Sequence, residues 1–182
     1  MERRSFLKRI DLSVGSGGKS MREFIEGVLL RYVGSPELSS LGDSALLQID
    51  GGIAFTTDSF VISPIFFPGG DIGKLCVAGT VNDLVVSGAK PLFLSLSFII
   101  EEGFPLEDME RILTSIRDTA LNAEVRIVTG DTKVVKRGEA DGIYINTSGI
   151  GKVIRKEASP EEGDVVLVTG SPGDHGVCLL YT

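Results

Sequence analysis

Apolar side chains recur at helical spacing in three parts of the chain. Between Met21 and Tyr32 they fall every three or four residues, which predicts an amphipathic helix. A second such segment runs from Pro105, a residue suited to the start of a helix, to Ala120. The segment from Ile72 to Ser87 is apolar almost all round, so we predict a buried helix with Asp71 as its cap.

Shorter runs of β-branched and aromatic residues predict the strands of a sheet, over residues 45–50, 53–63, 92–100, 125–131, 143–151 and 165–169. Gly51-Gly52 lies between the first two runs, which predicts that they pair as a hairpin. A helix separates the third run from the fourth, so these two strands are expected to be parallel neighbours. The predicted fold class is α/β (α+β), a mixed β-sheet packed with helices.

The chain divides into three predicted regions. Residues 1–35 hold an arm, a glycine-rich loop and a helix, and 6–14 are read as an extended arm. Residues 36–155 form the main domain, and 156–182 begin a second one, because Ser159–Asp164 is a turn and one later strand cannot close a core. A further glycine-rich loop follows that strand. It contains His175, which is read either as a turn residue or as a phosphate contact.

Carboxylates interrupt apolar segments at places where a charge is costly. Asp58 breaks an apolar strand, Asp83 lies inside the apolar helix and Asp131 follows a strand. A buried carboxylate needs a partner or a metal, and Mg²⁺ prefers oxygen ligands, so these acids and Asp43 predict a magnesium–nucleotide site. The alternatives stay open. Asp58 can point to solvent from the other face of its strand, Asp83 can mark a capped break in the helix, and Asp131 can belong to an ordinary polar turn.

A glycine-rich loop, Gly15-Ser16-Gly17-Gly18-Lys19-Ser20, precedes the first helix. Unpaired N–H groups and the helix dipole can bind an anion at such a place, with Lys19 as a supporting charge. The loop is not a Walker A motif, which needs glycine where this chain has Ser13, and Ser20 departs from the dinucleotide fingerprint. A phosphate site and a flexible loop are therefore both open.

Composition excludes several classes of function. The net charge of −7 argues against a general nucleic-acid surface. One His and two Cys, Cys76 and Cys178, form neither a zinc site nor a disulfide framework, and Cys76 lies in an apolar pattern typical of a core. No apolar run is long enough to span a membrane and no signal peptide is present, so we expect a soluble, cytoplasmic protein.

Several motifs together resemble the HypE family of hydrogenase maturation factors, over residues 11 to 180. The most specific run is Gly130-Asp131-Thr132-Lys133-Val134-Val135. The others are Gly15-Ser16-Gly17-Gly18, Thr56-Thr57-Asp58-Ser59, Phe66-Phe67-Pro68-Gly69-Gly70, Asn82-Asp83 with Val86-Ser87-Gly88-Ala89, and Gly173-Asp174-His175-Gly176. The resemblance implies the fold of the aminoimidazole ribonucleotide synthetase superfamily, with an N-terminal domain that binds ATP and dimerises.

The resemblance also implies an activity and a site. HypE proteins use ATP to dehydrate a carbamoyl group on a C-terminal cysteine to a thiocyanate, the source of the cyanide ligands of [NiFe] hydrogenase. Asp83 and Lys133 are the implied catalytic residues. The implied nucleotide ligands are Gly15, Ser16, Gly17, Gly18, Asp58, Asn82, Gly130, Asp131 and Thr132, and the implied Mg²⁺ ligands are Asp43, Asp58, Asp83 and Asp131.

The implied partners are a second copy of the chain, a HypF-like carbamoyltransferase and a HypC/HypD-like assembly complex for the iron–cyanide group. Members of the family are nearly twice as long and end in a cysteine tail that these 182 residues do not contain. Cys178 is not in that context, so we expect this chain alone to be inactive in the full reaction. Alternatives are a selenophosphate synthetase or thiamine-monophosphate kinase of the same superfamily, and a non-catalytic dimeric scaffold.

Overall fold

A computed structural model describes residues 9–15, 18–39, 47–155, 160–168, 170 and 173. Four strands form one mixed sheet: β1 (Ile53–Phe60), β4 (Ala89–Glu101), β5 (Arg126–Val135) and β6 (Ile143–Val153), in the order β1-β6-β4-β5. β6 is antiparallel to β1 and to β4, whereas β4 and β5 are parallel, as the sequence predicted. Two short strands, β2 (Phe66–Phe67) and β3 (Gly70–Asp71), form a separate small hairpin.

Two long helices, α5 (Ile72–Val86) and α6 (Leu106–Asn122), correspond to the predicted ones. Asp71 caps α5 as expected, since its Oδ1 accepts a hydrogen bond of 2.9 Å from the Lys74 backbone N–H. The apolar stripe of α6 is buried in the hydrophobic core, and its members are Met109, Ile112, Leu113, Ile116 and Ala120. No helix in the described part of the chain is both long and apolar enough to cross a bilayer.

Residues 6–8 of the predicted arm lie outside the described residues, and the described part of the N-terminal region is helical from Leu12 onward. After a bridge between Arg9 and Pro105, the chain forms α1 (Leu12–Gly15), α2 (Gly18–Phe24), a π-helical segment (Ile25–Leu29), α3 (Leu30–Val33) and α4 (Pro36–Ser39). The expected extended arm is therefore wrong over 12–14, because Val14 packs into the core as part of a helical turn. The predicted amphipathic helix is present, and its apolar side chains Phe24, Val28 and Leu29 join the same core as the sheet.

Helices cover one face of the sheet, and the other face is exposed in the single chain. Leu94, Leu96 and Phe98 on β4 point to the helix-covered face and are buried. The opposite face, called the open face below, carries the alternate residues of each strand, because side chains alternate along a strand. On it Ile53 and Phe55 are 57% and 67% exposed in the single chain.

Three predictions about strands are wrong. Residues 47–50 form no strand, and β1 pairs with β6 instead, in the register Ile53↔Lys152 to Phe60↔Ile145. A long partner strand offers eight paired residues, which outweighs the local turn signal of Gly51-Gly52. β5 does not end at Asp131 but continues to Val135, beside β4. Residues 165–168 form no strand and their apolar side chains are exposed, because no described strand lies beside them.

Candidate functional site

Helix α5 crosses the helix-covered face of β1 and places Asp83 against that strand. The Thr56 hydroxyl of β1 donates a hydrogen bond of 3.0 Å to Asp83 Oδ2. Asp83 is half-buried, and the helix is continuous through it, so the alternative of a capped break in the helix is wrong. The neighbouring Asn82 is exposed. The carboxylate is thus held by a residue of another element.

Asp58 lies on the same face of β1, two residues beyond Thr56. Its Oδ2 accepts a hydrogen bond of 2.9 Å from the hydroxyl of Thr80, which is fully buried on α5. The alternative that Asp58 points to solvent from the other face is therefore wrong. Asp58 and Asp83 are each bonded to a threonine of the opposite element, so this reciprocal pairing fixes both carboxylates along one seam between α5 and β1.

The donor set along this seam suits a hard cation. Two carboxylates and two hydroxyls supply only oxygen, and Mg²⁺ typically uses one or two carboxylates together with waters and the phosphates of a substrate. Within the described ranges, no group of three or more acidic, histidine or cysteine side chains is arranged to hold a metal. The seam fits a magnesium ion that a bound phosphate completes, rather than a closed protein cage.

Asp131 and Lys133 lie on β5, away from the seam between α5 and β1. They pair with Ser97 and Ile99 of β4, on the edge strand β5, and both are exposed. β5 and β1 are the two edges of the four-stranded sheet, three strand spacings or about 14 Å apart. One chain therefore does not bring Asp131 and Lys133 together with Asp58 and Asp83. Asp43, Ser16 and Gly17 lie outside the described residues.

A groove of about 930 Å³ runs between the N-terminal helices and β5. Four of the predicted nucleotide ligands line it, namely Gly18, Gly130, Asp131 and Thr132. Apolar side chains from the N-terminal helices and from the sheet also line it, including Met21, Ile25, Leu29, Leu96, Phe98 and Ile127. A groove lined by apolar side chains together with a few polar groups is typical of a small-molecule site. The sequence thus identified residues of one groove, although not the groove itself.

Three residues that were predicted to contact phosphate, Gly15, Lys19 and Gly18, have other structural roles in this chain. A Cβ atom on Gly15 would lie 2.5 Å from the backbone N of Val134, so this glycine permits α1 to contact β5. Lys19 is exposed and forms an ion pair of 3.7 Å with Glu23. Gly18 is the first residue of α2 and has φ of +75°, a value that favours glycine.

Three buried groups support the seam beneath the acids. Thr80 and Thr147 are fully buried and their hydroxyl oxygens are 2.5 Å apart, while the Thr147 hydroxyl lies 3.2 Å from the carbonyl of Cys76. Burial raises the pKa of the Cys76 thiol, which stays protonated and inert, in agreement with its predicted place in the core. Sequence reasoning missed both threonines. The position of Thr80 three residues before Asp83 on one helix was the available signal, and Thr147 gave none.

Comparisons with known proteins agree on one family. The profile of "AIR synthase related protein, N-terminal domain" matches residues 41–153. Carbamoyl dehydratase HypE of Rhizobium leguminosarum bv. viciae is 49% identical over 178 residues, which cover 94% of this chain and 51% of that protein. Carbamoyl dehydratase HypE of Escherichia coli K12 is 45% identical, with coverage of 96% and 55%. The chain thus spans about half the length of these relatives.

Solved structures give the same result. A crystal structure of hydrogenase maturation protein HypE in complex with ATP matches with a TM-score of 0.79 and 48% identity, covering 80% of this chain and 43% of that one. HypE in a HypE–HypF complex matches with a TM-score of 0.57 and 54% identity, covering 72% and 43%. The predicted fold class and the resemblance to HypE are both confirmed. The chain belongs to the AIR synthase related family, and its similar proteins within that family include the HypE hydrogenase maturation proteins.

Proposed function

We propose that this chain provides the ATP-binding half of a carbamoyl dehydratase that serves [NiFe] hydrogenase maturation. In the proposed reaction ATP phosphorylates the oxygen of a carbamoyl group carried on a cysteine. Phosphate then leaves with that oxygen, both N–H protons are removed, and a thiocyanate remains as the source of the cyanide ligand. The observation that carries the proposal is the seam of α5 and β1, where two carboxylates are fixed in a family whose relatives are named for this chemistry.

Asp58 and Asp83 are the proposed ligands of Mg²⁺, and the ion would neutralise charge on the phosphates of ATP when bound. The two threonines hold the carboxylates in place before the ligand arrives. Asp83 and Lys133 are the proposed catalytic residues, with Lys133 near the reacting group and Asp83 as its partner or as a base. Because Lys133 and Asp83 lie at opposite edges of the sheet, this pairing requires more than one copy of the described chain.

A homodimer joins the two halves of the proposed site. The groove and the acid seam both lie on the helix-covered face, at the β5 edge and the β1 edge. β1 runs in the same direction as β5, since both β1 and β4 are antiparallel to β6 and β4 is parallel to β5. A two-fold axis along the strands would therefore pair β5 of one chain with β1 of its partner in parallel. The nucleotide groove of one chain then adjoins Asp58 and Asp83 of the other.

The proposed partners follow from the same relatives. A HypF-like carbamoyltransferase would load the C-terminal cysteine that the resemblance implies and that these 182 residues do not contain, and a HypC/HypD-like complex would receive the cyanide group. The HypE–HypF complex among the similar structures supports the first of these. We propose a cytoplasmic location and no binding of nucleic acid or membrane.

Titration calorimetry of the chain with ATP tests the site directly, with Mg²⁺ present and with EDTA in its place. We expect Mg²⁺ to strengthen ATP binding, and Asp58→Asn or Asp83→Asn to remove most of that gain, because each variant takes away a negatively charged ligand. Asp118→Asn is the matched control, since Asp118 is an exposed acid on α6 that pairs with Arg117. If Mg²⁺ increases the ATP affinity of the wild type and of both site variants by the same factor, Asp58 and Asp83 are not the Mg²⁺ ligands.

A further inference from the structure

Behind Asp58, the seam contains two linked hydroxyl groups that are not themselves proposed metal ligands. Thr147 on β6 contacts Thr80 on α5, and Thr80 in turn contacts Asp58 on β1. We propose that Thr80 and Thr147 are positioning residues, which direct their hydroxyl protons toward Asp58 and so fix its carboxylate for the cation. This inference rests on the proposed Mg²⁺–ATP site and names the residues that act behind it.

The number of protons decides the direction of the chain. Three contacts link Asp58, Thr80, Thr147 and the Cys76 carbonyl, at 2.9, 2.5 and 3.2 Å. The two hydroxyls hold only two protons, and an ionised carboxylate can only accept. An ionised Asp58 has no proton to give, so Thr80 must donate to Asp58. Two hydroxyl oxygens only 2.5 Å apart need a proton between them, so Thr147 donates to Thr80 rather than to the carbonyl. The longest contact, to the Cys76 carbonyl, is the one left without a proton.

Losing that third contact is inexpensive. The Cys76 carbonyl lies inside α5, four residues before Thr80, and a helical carbonyl accepts the N–H group of the fourth residue after it. It therefore keeps a hydrogen bond when Thr147 turns toward Thr80. The opposite direction would leave an ionised Asp58 without its donor, which is the costlier loss because hydrogen bonds to charged groups are the stronger ones.

Packing holds Thr80 in the orientation that this chain needs. Thr80 and Thr147 are both 0% exposed, so water does not replace either hydroxyl. The Thr80 methyl lies over Gly149 of β6, where an added Cβ would be only 2.8 Å from it. Within the described part of the chain, the side-chain hydrogen bond of Asp58 uses Oδ2. Oδ1 would then be the oxygen available to a cation, as when a neighbouring hydrogen bond orients a metal ligand.

The test compares ATP affinity with Mg²⁺ and with EDTA in variants of the two threonines. Thr80→Val keeps the shape and removes the hydroxyl. We expect it to weaken Mg²⁺–ATP binding by about tenfold, the lower end for residues that orient metal ligands, with the affinity for metal-free ATP unchanged. Thr80→Ser restores the hydroxyl and is expected to bind like the wild type. Thr147→Val is expected to show a smaller loss, because Thr80 can still donate to Asp58.

Controls separate this role from a merely structural one. Thr114→Val removes a hydroxyl that donates to the Glu110 carbonyl within α6, and it should leave both affinities unchanged. Thermal melting without ligand reports folding, and Thr147→Val carries the test if Thr80→Val does not fold. The inference is overturned if folded valine variants keep the full gain from Mg²⁺, or if they lose metal-free ATP affinity equally. If Asp58→Asn itself keeps the Mg²⁺-dependent increase in ATP affinity, the proposed Mg²⁺–ATP site is wrong, whatever the threonine variants show.

Discussion

At the scale of single residues, Gly130 shows how close packing sets a residue's identity. Added to this glycine, a Cβ would lie 2.4 Å from the carbonyl oxygen of Leu96 on the neighbouring strand. Gly130 lies inside a continuous strand, opposite Leu96 in the ladder, so this close approach occurs without a turn. The glycine thus lets β5 lie against β4 along the wall of the groove.

Replacing Gly130 with alanine should destabilise the fold. We expect Gly130→Ala to lower the free energy of unfolding by about 1–3 kcal/mol, as overpacking against rigid backbone does. Urea unfolding followed by circular dichroism measures this change. Gly27→Ala is the matched control, because nothing lies within 4 Å of a Cβ at Gly27 and alanine favours helix there. A Gly130→Ala protein as stable as the control would contradict the close approach.

At the scale of elements, helix α5 is capped by the residue that precedes it, Asp71. Asp71 accepts hydrogen bonds from the Lys74 backbone N–H and from the Ser115 hydroxyl of α6, so it caps α5 and joins it to α6. It is 8% exposed. This one carboxylate therefore ties the start of α5 to α6.

Removing the Asp71 cap should lower the free energy of unfolding more than removing only the hydrogen bond from Ser115 of α6. We expect Asp71→Ala to cost about 1–2 kcal/mol of unfolding free energy for the lost cap alone. Ser115→Ala, which removes the donor from α6 and keeps the cap, should cost less. Chemical unfolding of the two variants gives the comparison, and equal losses would mean that the cap adds nothing beyond the contact to Ser115.

Elements with a strong period of their own were predictable from sequence. α5, α6, β4 and β6 follow from their apolar patterns, and the parallel pairing of β4 with β5 follows from the helix between them. The partner of β1 was not predictable, because Gly51-Gly52 is a local signal and β6 lies some ninety residues later. The acids were visible as charges in apolar segments. Thr80 and Thr147 look like ordinary core threonines until the fold joins them to Asp58.

At the scale of the whole molecule, the two edges of the sheet explain why the predicted site is divided. The groove lies at the β5 edge and the acid seam at the β1 edge, both on the helix-covered face. Edge-to-edge pairing of two chains joins these features twice. It also turns the two open faces toward each other, which would cover Ile53, Phe55 and Ile99, now 57%, 67% and 45% exposed. One arrangement thus accounts for the separated residues and for the uncovered face.

Mixed dimers test this arrangement, because each site would take Asp58 from one chain and Asp131 from the other. Neither Asp58→Asn nor Asp131→Asn alone should bind Mg²⁺–ATP well. Random pairing of the two variants gives half mixed dimers with one intact site each, so calorimetry should recover about a quarter of the wild-type sites. Asp58→Asn mixed with Asp83→Asn is the control and should recover none, since both acids belong to one seam. Mixed dimers that form without recovering any sites would mean that each site is built from a single chain.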